Sequence, residues 1–259
     1  MNLPLLIVQH DATQRSGFLL ELLRQKGMAA DIRFREEGDA LPAHAQEHAG
    51  LVLLGSNRSV NEDLPWMLDE RRLVRAAMAA GVPVLGHCFG AQTMARALGA
   101  PVRRNPLAHI GWSRLRCTAA GRAWFGGSDE ITAFNWHYES FAIPRGATRL
   151  LYGLHCLNKG FAIGPHLALQ CHLEVDTSIV RDWCVTSRAE LRAVAGGPEA
   201  QSEAQIMAEL PQRLAALRVA ARHVYGRWLQ AVGPRAGLVP APKPPVALPM
   251  MALNRYAAG

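Results

Sequence analysis

The stretch Val82-Pro83-Val84-Leu85-Gly86-His87-Cys88-Phe89-Gly90-Ala91-Gln92 leads from an apolar segment, through a turn with a glycine two residues either side of a cysteine, into a helical pattern. Glycines at these positions let the backbone turn sharply and let neighbouring segments come close. The pattern is the sulfur counterpart of the G-x-S-x-G elbow, which joins a strand to a helix above a sheet edge. It therefore predicts an α/β fold that presents Cys88 at the turn.

Cys88 is the candidate nucleophile of this turn. At a helix N-terminus, unpaired backbone N–H groups and the helix dipole stabilise a thiolate. Cysteine by itself is most often an inert, buried small hydrophobe. We therefore expect that structural role for the four cysteines outside the elbow, which are Cys117, Cys156, Cys171 and Cys184.

Around the elbow, short β-type runs alternate with helical patterns. Strands are predicted at residues 3–9, 29–35, 51–54 and 82–85, and helices follow the first, third and fourth of them. Such alternation is typical of βαβ units in a parallel sheet that helices cover on both faces.

After residue 101 the pattern changes to strands with turns between them. These are predicted at residues 111–118, 131–136, 149–152, 161–163 and 167–171, and they favour antiparallel pairing. Helical periodicity returns after Thr177, and a long amphipathic helix follows with Pro211 in its first turn. The predicted fold is α/β with a mixed, mainly parallel sheet flanked by helices.

The domain organisation follows from length and proline content. Residues 1–232 are expected to form one domain, and a chain of 259 residues is long enough for it. Proline recurs so densely in residues 233–259 that a regular helix is not expected there. We interpret this last segment as a tail.

The composition excludes several classes of protein. With 49% hydrophobic and 19% charged residues, the chain is expected to fold around a core. The net charge of +7 is spread in short pairs such as Arg71-Arg72, without the basic stripe typical of nucleic-acid binding. A nucleic acid is therefore not expected as a partner. No apolar run approaches the length of a membrane span, so a membrane is not expected as a partner either.

Five cysteines at irregular spacing form no CxxC pair and no zinc pattern. We therefore expect no metal, no disulfide and a cytoplasmic location, and the N-terminus lacks a secretory signal pattern. No cofactor is indicated by any motif.

The second chemical motif is Gln170-Cys171-His172-Leu173-Glu174. At the end of a strand, residues 172 and 174 point to the same side, which places an imidazole next to a carboxylate. A cysteine nucleophile needs such a base, and the base needs a third group to fix its tautomer. An H-x-E pattern alone is weak, but it gains weight after an elbow cysteine.

The two motifs, in this order, resemble the class I glutamine amidotransferase family, especially its stand-alone, GMP-synthase-like members. That family carries a G-x-C-x-G-x-Q elbow and a later Q-F-H-P-E or Q-F-H-L-E. The segment that begins Leu54-Gly55-Ser56 resembles its G-G-P-x-S-V stretch, and Asn135-Trp136-His137 resembles its W-H motif. The resemblance spans about residues 3–230 and implies a flavodoxin-like fold with a mixed sheet between helices.

Carried over to this chain, the resemblance implies a role for each matching residue. Cys88 would be the nucleophile, His172 the base and acid, and Glu174 its orienter. The backbone N–H groups of Ser56 and Phe89 would form the oxyanion hole. The residues expected to bind substrate are Gly55, Gln92 and His137.

The sequence departs from the family pattern at four positions, one of which is Asn57, where proline is usual. Ser56 stands where a second glycine is usual, so a positive φ there would be strained. His87 occupies a usually apolar position and Cys171 a usually aromatic one. Both are read as repacking, although His87 is close enough in sequence to perturb the Cys88 thiol.

The resemblance implies a cysteine-dependent enzyme that releases ammonia from glutamine or a γ-glutamyl compound. No P-loop is visible in the chain, so a separate synthetase subunit would accept the ammonia, or the protein is a plain γ-glutamyl hydrolase. A non-catalytic regulatory or binding homologue of the same fold is a further alternative. A redox or chaperone-like α/β protein fits less well, because it does not call for the H-x-E motif.

Overall fold

The computed structural model describes residues 2–237, which form a nine-stranded sheet with helices on both faces. The strands run in the order β2-β1-β3-β4-β9-β8-β7-β5-β6. Their bounds are β1 Leu5–Gln9, β2 Ala30–Phe34, β3 Gly50–Leu53, β4 Val84–His87, β5 Val102–Cys117, β6 Glu130–Phe141, β7 Thr148–Tyr152, β8 Gly160–Ile163 and β9 His166–Leu169.

Eight α-helices are found in the described residues. They are α1 Gly17–Gln25, α2 Pro65–Ala79, α3 Phe89–Ala97, α4 Ala119–Arg122, α5 Thr177–Thr186, α6 Arg188–Ala193, α7 Glu203–Met207 and α8 Leu210–Val232. Single 3-10 turns lie at Ala45–Glu47 and Val60–Glu62. None of the helices within residues 2–237 is long and apolar enough to cross a membrane.

The sheet is mixed, as the sequence predicts. Strands β2, β1, β3 and β4 pair in parallel, and β9 continues the parallel arrangement next to β4. From β9 outward, β8, β7, β5 and β6 pair antiparallel. The predicted fold class is confirmed, and each of the nine predicted strands is present. Of the predicted tail, residues 238–259 lie outside the described residues.

Strands β5 and β6 are much longer than the strands predicted at residues 111–118 and 131–136, and β6 runs on to Phe141. Strand β5 begins at Val102 instead of residue 111, and its register against β6 shifts between Arg104 and His109. Pro106 lies inside this irregularity, and a proline cannot donate a ladder hydrogen bond. Because a bulge absorbs the interruption, pairing resumes on both sides, and a segment that reads as a loop is part of a strand.

Each strand of the parallel half alternates between two apolar layers. In β1, Leu5 and Ile7 face the layer built with α1, α5 and α8, whereas Leu6 and Val8 face the layer built with α2 and α3. All five residues of β1 are buried. This burial on both faces explains why the strands read as continuous apolar runs.

The elbow connects β4 to α3 through Cys88 alone, so two chain segments must pass very close to each other. The Gly90 N–H donates to the Leu54 carbonyl at 3.1 Å. A Cβ on Gly86 would lie 2.6 Å from the Gly90 carbonyl carbon, and a Cβ on Gly90 would collide with the Leu53 carbonyl oxygen. Positions 86 and 90 therefore require glycine, because any side chain would collide with backbone atoms. Backbone atoms cannot move aside as easily as the end of a side chain.

Gly90→Ala is expected to destabilise the protein by about 3 kcal/mol, because β3 must move to admit the methyl group. Gly226→Ala is the matched control, since Gly226 lies inside α8 and a methyl group there would meet nothing within 4 Å. Because alanine has a higher helix propensity than glycine, the control is expected to have a free energy of unfolding about 1 kcal/mol larger than wild type. Urea unfolding of both variants measures the difference; equal stabilities would contradict the close-packing argument.

Candidate active site

Cys88 occupies the N-cap of α3 in an unusual backbone conformation. Its φ is +49° and its ψ −108°, and positive φ is uncommon for a residue with a side chain. The Cys88 N–H donates to the Leu169 carbonyl at 2.8 Å, which ties the turn to the end of β9. Such strain persists only where surrounding structure holds it, and it is frequent at functional sites.

The Cys88 thiol is almost enclosed but still reaches a cavity. The residue is 6% exposed and lines a cavity of about 640 Å³. The Gln170 side-chain amide donates to its Sγ at 3.5 Å, and the Trp136 carbonyl oxygen lies 3.7 Å from Sγ. A polar cradle on two sides therefore fixes the direction of the sulfur atom.

His172 and Glu174 follow β9 and are buried beside Cys88. The His172 N–H donates to the Phe134 carbonyl at 2.8 Å, and the ring of Trp183 packs edge-on against the imidazole. His172 Nδ1 lies 2.6 Å from Glu174 Oε1. Because Nδ1 of His172 donates its hydrogen bond to the Glu174 carboxylate, Nε2 is left to interact with the Cys88 thiol.

The charges of this group support one another. Burial would lower the pKa of His172, but Glu174 and Cys88 outweigh it and raise the pKa to about 10. Burial would likewise raise the pKa of Glu174, but His87 and His172 outweigh it and hold that pKa below its usual value. At neutral pH the pair is therefore an imidazolium and a carboxylate.

The expected oxyanion donors lie at the same cavity. Ser56 and Phe89 both line it, together with Cys88 and His172. Within residues 2–237, the backbone N–H groups of Ser56 and Phe89 donate no hydrogen bond. Ser56 is also absent from the described non-glycine residues with positive φ, so a serine in place of glycine causes no strain of that kind.

The residues expected to bind substrate are only partly at the cavity. Gln92 and His137 line it, and the Gln92 amide donates to the Glu139 carbonyl at 3.0 Å and to Gln170 Oε1 at 3.2 Å. Gly55 lies behind the wall, where its carbonyl faces His10. The mouth carries charges of both signs, from Arg58, Arg104, Glu62, Glu139 and Glu190.

Comparison with known proteins identifies the family. The family model "Glutamine amidotransferase class-I" matches residues 21–179, which is more than half of the chain. The chain belongs to the class I glutamine amidotransferase family. The match includes both the elbow and the H-x-E motif.

Solved and curated members of the glutamine amidotransferase family extend this result. A glutamine amido transferase from Methylobacillus flagellatus is 36% identical, with a TM-score of 0.85 over 88% of this chain and 94% of that one. The glutamine amidotransferase-like protein YfeJ of Salmonella typhimurium is 29% identical over 78% of this chain and 88% of its own length. The GMP synthase [glutamine-hydrolyzing] of Aeropyrum pernix is 26% identical over 58% of this chain, but only 28% of that protein is covered.

His87 departs from the glutamine amidotransferase motif and turns away from the cavity. Its Nδ1 lies 3.2 Å from both Glu174 Oε2 and the Cys171 carbonyl oxygen. Its Nε2 lies 3.1 Å from the Tyr225 hydroxyl of α8. Burial lowers the pKa of His87, and the neighbouring Glu174 carboxylate opposes that effect. His87 is thus a second imidazole at the carboxylate of Glu174, a contact that sequence reasoning missed.

Lys159 is a further buried group near the cavity that sequence reasoning missed. Its Nζ lies 2.9 Å from Asn135 Oδ1 and 2.7 Å from His137 Nε2. His137 in turn lies 2.9 Å from the Glu139 carbonyl through Nδ1 and stacks on His109. Burial, and next the Lys159 charge, lower the pKa of His137 well below its usual value, so His137 is neutral. The only signal in the sequence is a single lysine at the start of an apolar strand.

Three of the remaining cysteines have the properties of structural residues. Burial raises the pKa of Cys171 to about 12 and the pKa values of Cys117 and Cys184 to about 11. These thiols stay protonated at neutral pH and are poor nucleophiles.

Proposed function

We propose that this protein hydrolyses the side-chain amide of glutamine or a γ-glutamyl compound, with Cys88, His172 and Glu174 as its catalytic triad. The observation that carries the proposal is the buried 2.6 Å contact between Glu174 and His172, beside a cysteine at a strand-to-helix turn. Ser56 and Phe89, with unpaired N–H groups within residues 2–237, line the same cavity. A nucleophile, an oriented base and an oxyanion hole are the parts that acyl transfer to sulfur requires.

The proposed reaction has two halves. Sγ of Cys88 attacks the carboxamide carbon, and the N–H groups of Ser56 and Phe89 hold the negative charge that develops on the amide oxygen. His172 gives its proton to the departing nitrogen, so that the C–N bond breaks, ammonia leaves and a thioester remains. Water then attacks the thioester while His172 takes one of its protons. The C–S bond breaks, the Cys88 sulfur leaves with the bonding electrons, and the γ-carboxylic acid is released and gives its remaining proton to solvent.

Glu174 and the cavity residues have supporting roles in this proposal. The carboxylate holds the Nδ1–H tautomer of His172 and stabilises its positive charge. Gln92 and His137 shape the cavity that receives the substrate side chain. We propose a cytoplasmic location for the reaction; the five free cysteines support it, because thiols remain reduced there.

The proposed fate of the ammonia rests on the names of relatives. Several of them are GMP synthases [glutamine-hydrolyzing], in which this chain matches only 28% or less of the length. We infer that a separate synthetase subunit receives the ammonia; hydrolysis of γ-glutamyl compounds for their own sake is the second candidate. A stoichiometric partner that copurifies with the protein and stimulates glutamine hydrolysis would favour the first.

A glutamine-analogue electrophile, such as a diazoketone, is expected to label the protein once, on Cys88. Mass spectrometry of the digested protein locates the label, and excess glutamine should prevent it. Ammonia release by the unlabelled protein separates an enzyme from a non-catalytic homologue. Labelling of Cys171 instead, or labelling that glutamine does not prevent, would contradict the proposal.

A further inference from the structure

His10 is a buried histidine outside the proposed triad. It follows β1, and its side chain is 1% exposed. Its Nδ1 lies 2.9 Å from the Gly55 carbonyl oxygen, and its Nε2 lies 3.0 Å from Glu70 Oε2. Glu70, on α2, is fully buried, and Arg35 Nε lies 3.3 Å from its other oxygen. The proposed reaction gives His10 no role.

The two partners determine the protonation of this ring. A carbonyl oxygen and a carboxylate oxygen can only accept, so both ring nitrogens must donate, and the ring is an imidazolium. Burial would lower the pKa of His10, but Glu70 outweighs it and the pKa is raised. A cation and its counter-ion are thus enclosed together behind the cavity wall.

The His10 ring contacts the Gly55–Ser56 peptide, which carries one proposed oxyanion donor, and the side chain of Phe89, whose backbone N–H is the other. No cis peptide bond occurs in the described residues, so in the trans Gly55–Ser56 peptide the carbonyl and the N–H point in opposite directions. A hydrogen bond that fixes the Gly55 carbonyl therefore fixes the Ser56 N–H on the other side. The ring also packs edge-on against Phe89, with 4.8 Å between centroids.

We propose that His10, clamped by Glu70, is the positioning residue of the oxyanion hole: it orients and polarises the Gly55–Ser56 peptide so that the Ser56 N–H meets the developing oxyanion. Donation from a cation to the carbonyl strengthens the N–H of the same peptide as a donor. The ion pair thereby acts on the reaction without touching the substrate. This inference rests on the proposed function.

Two substitutions separate the two hydrogen bonds of His10. The side-chain nitrogen of asparagine, like Nδ1, is bonded to Cγ, so His10→Asn keeps a donor for Gly55 and loses the one for Glu70. Glutamine reaches about as far as Nε2, so His10→Gln keeps a donor for Glu70 and loses the one for Gly55. We expect H10Q to lower kcat/KM for glutamine on the order of 10²-fold, the effect of a lost oxyanion donor, and H10N to lower it less than about tenfold.

The control reaction is alkylation of Cys88 by iodoacetamide. This displacement at a saturated carbon generates no oxyanion, so its rate depends on the thiolate and its access but not on Ser56. The alkylation rate of H10Q should stay within about twofold of wild type while kcat/KM falls. A merely structural role of His10 would lower both together.

A third variant covers the case in which H10Q does not fold. The double variant H10F/E70L removes both charges at once, so neither His10 nor Glu70 is left buried without the other, and Arg35 keeps its hydrogen bond to the Asp39 carbonyl. It should show the same loss of kcat/KM with unchanged alkylation. Full activity in H10Q or in the double variant, equal losses in H10Q and H10N, or parallel loss of alkylation would overturn the inference. If the wild-type protein shows no ammonia release that depends on Cys88, the proposed function itself would be overturned instead.

Discussion

Cys88→Ala is expected to lower kcat for glutamine hydrolysis by at least about 10⁴-fold, because only binding and the oxyanion hole remain to assist water. Cys171, the nearest cysteine in sequence to His172, is a poor replacement for the missing nucleophile, because burial raises its pKa to about 12. Ammonia release under saturating glutamine measures the loss. Activity within tenfold of wild type would exclude Cys88 as the nucleophile.

Stability measurements distinguish lost chemistry from lost structure in this variant. Alanine meets the same positive φ of 49° as cysteine, so C88A adds no new backbone strain. Cys88→Gly is the matched control, because glycine adopts positive φ freely. It should be equally inactive but more stable than C88A by about 1 kcal/mol in urea unfolding. A C88A protein that unfolds at room temperature would make its inactivity uninformative, and C88G would then carry the test.

Local patterns predict most of the fold and the central part of the site. The strand runs, the elbow around Cys88 and the spacing of His172 and Glu174 are short-range features, and periodicity is sufficient to read them. Strand β5 is predicted too short because Pro106 looks like a chain break when its bulge cannot be seen. The limits of the prediction thus lie where pairing between distant strands overrides a local signal.

The supporting contacts could not be predicted because their partners are far apart in the sequence. Glu70 is 60 residues from His10, and Tyr225 is 138 residues from His87. From the sequence alone, each of these side chains would more simply be interpreted as an ordinary polar residue, solvated or without a specific partner. Only the packing of α2 and α8 against the sheet creates the buried setting in which an unpaired polar group would be costly.

Glu174→Gln is expected to lower kcat by about 10³-fold or more, since the carboxylate fixes the tautomer of the base. The surroundings of Glu174 make this substitution more severe than a simple loss of charge. Oε1 faces Nδ1 of His172 at 2.6 Å, and Oε2 faces Nδ1 of His87 at 3.2 Å. A glutamine has only one acceptor oxygen, so one of the two imidazoles must meet an NH₂ donor.

Loss of the carboxylate charge also has a signature in the pH profile. Glu174 is the largest of the influences that raise the pKa of His172 to about 10, so E174Q must lower that pKa. His172 of the variant then loses, at a lower pH, the proton that it donates to the leaving nitrogen. The residual kcat should therefore begin to fall at a lower pH than the kcat of wild type.

Glu21→Gln, on the exposed side of α1, is the control and should leave kcat and its pH profile unchanged. An E174Q variant with the wild-type alkaline limb would show that Glu174 does not set the basicity of His172. Because Cys88 also raises that pKa, the pKa of His172 should be lower in the alkylated or C88A protein, where NMR can follow its titration without any need for activity. The two decreases in the pKa of His172 together would measure how much Cys88 and Glu174 each contribute to its basicity.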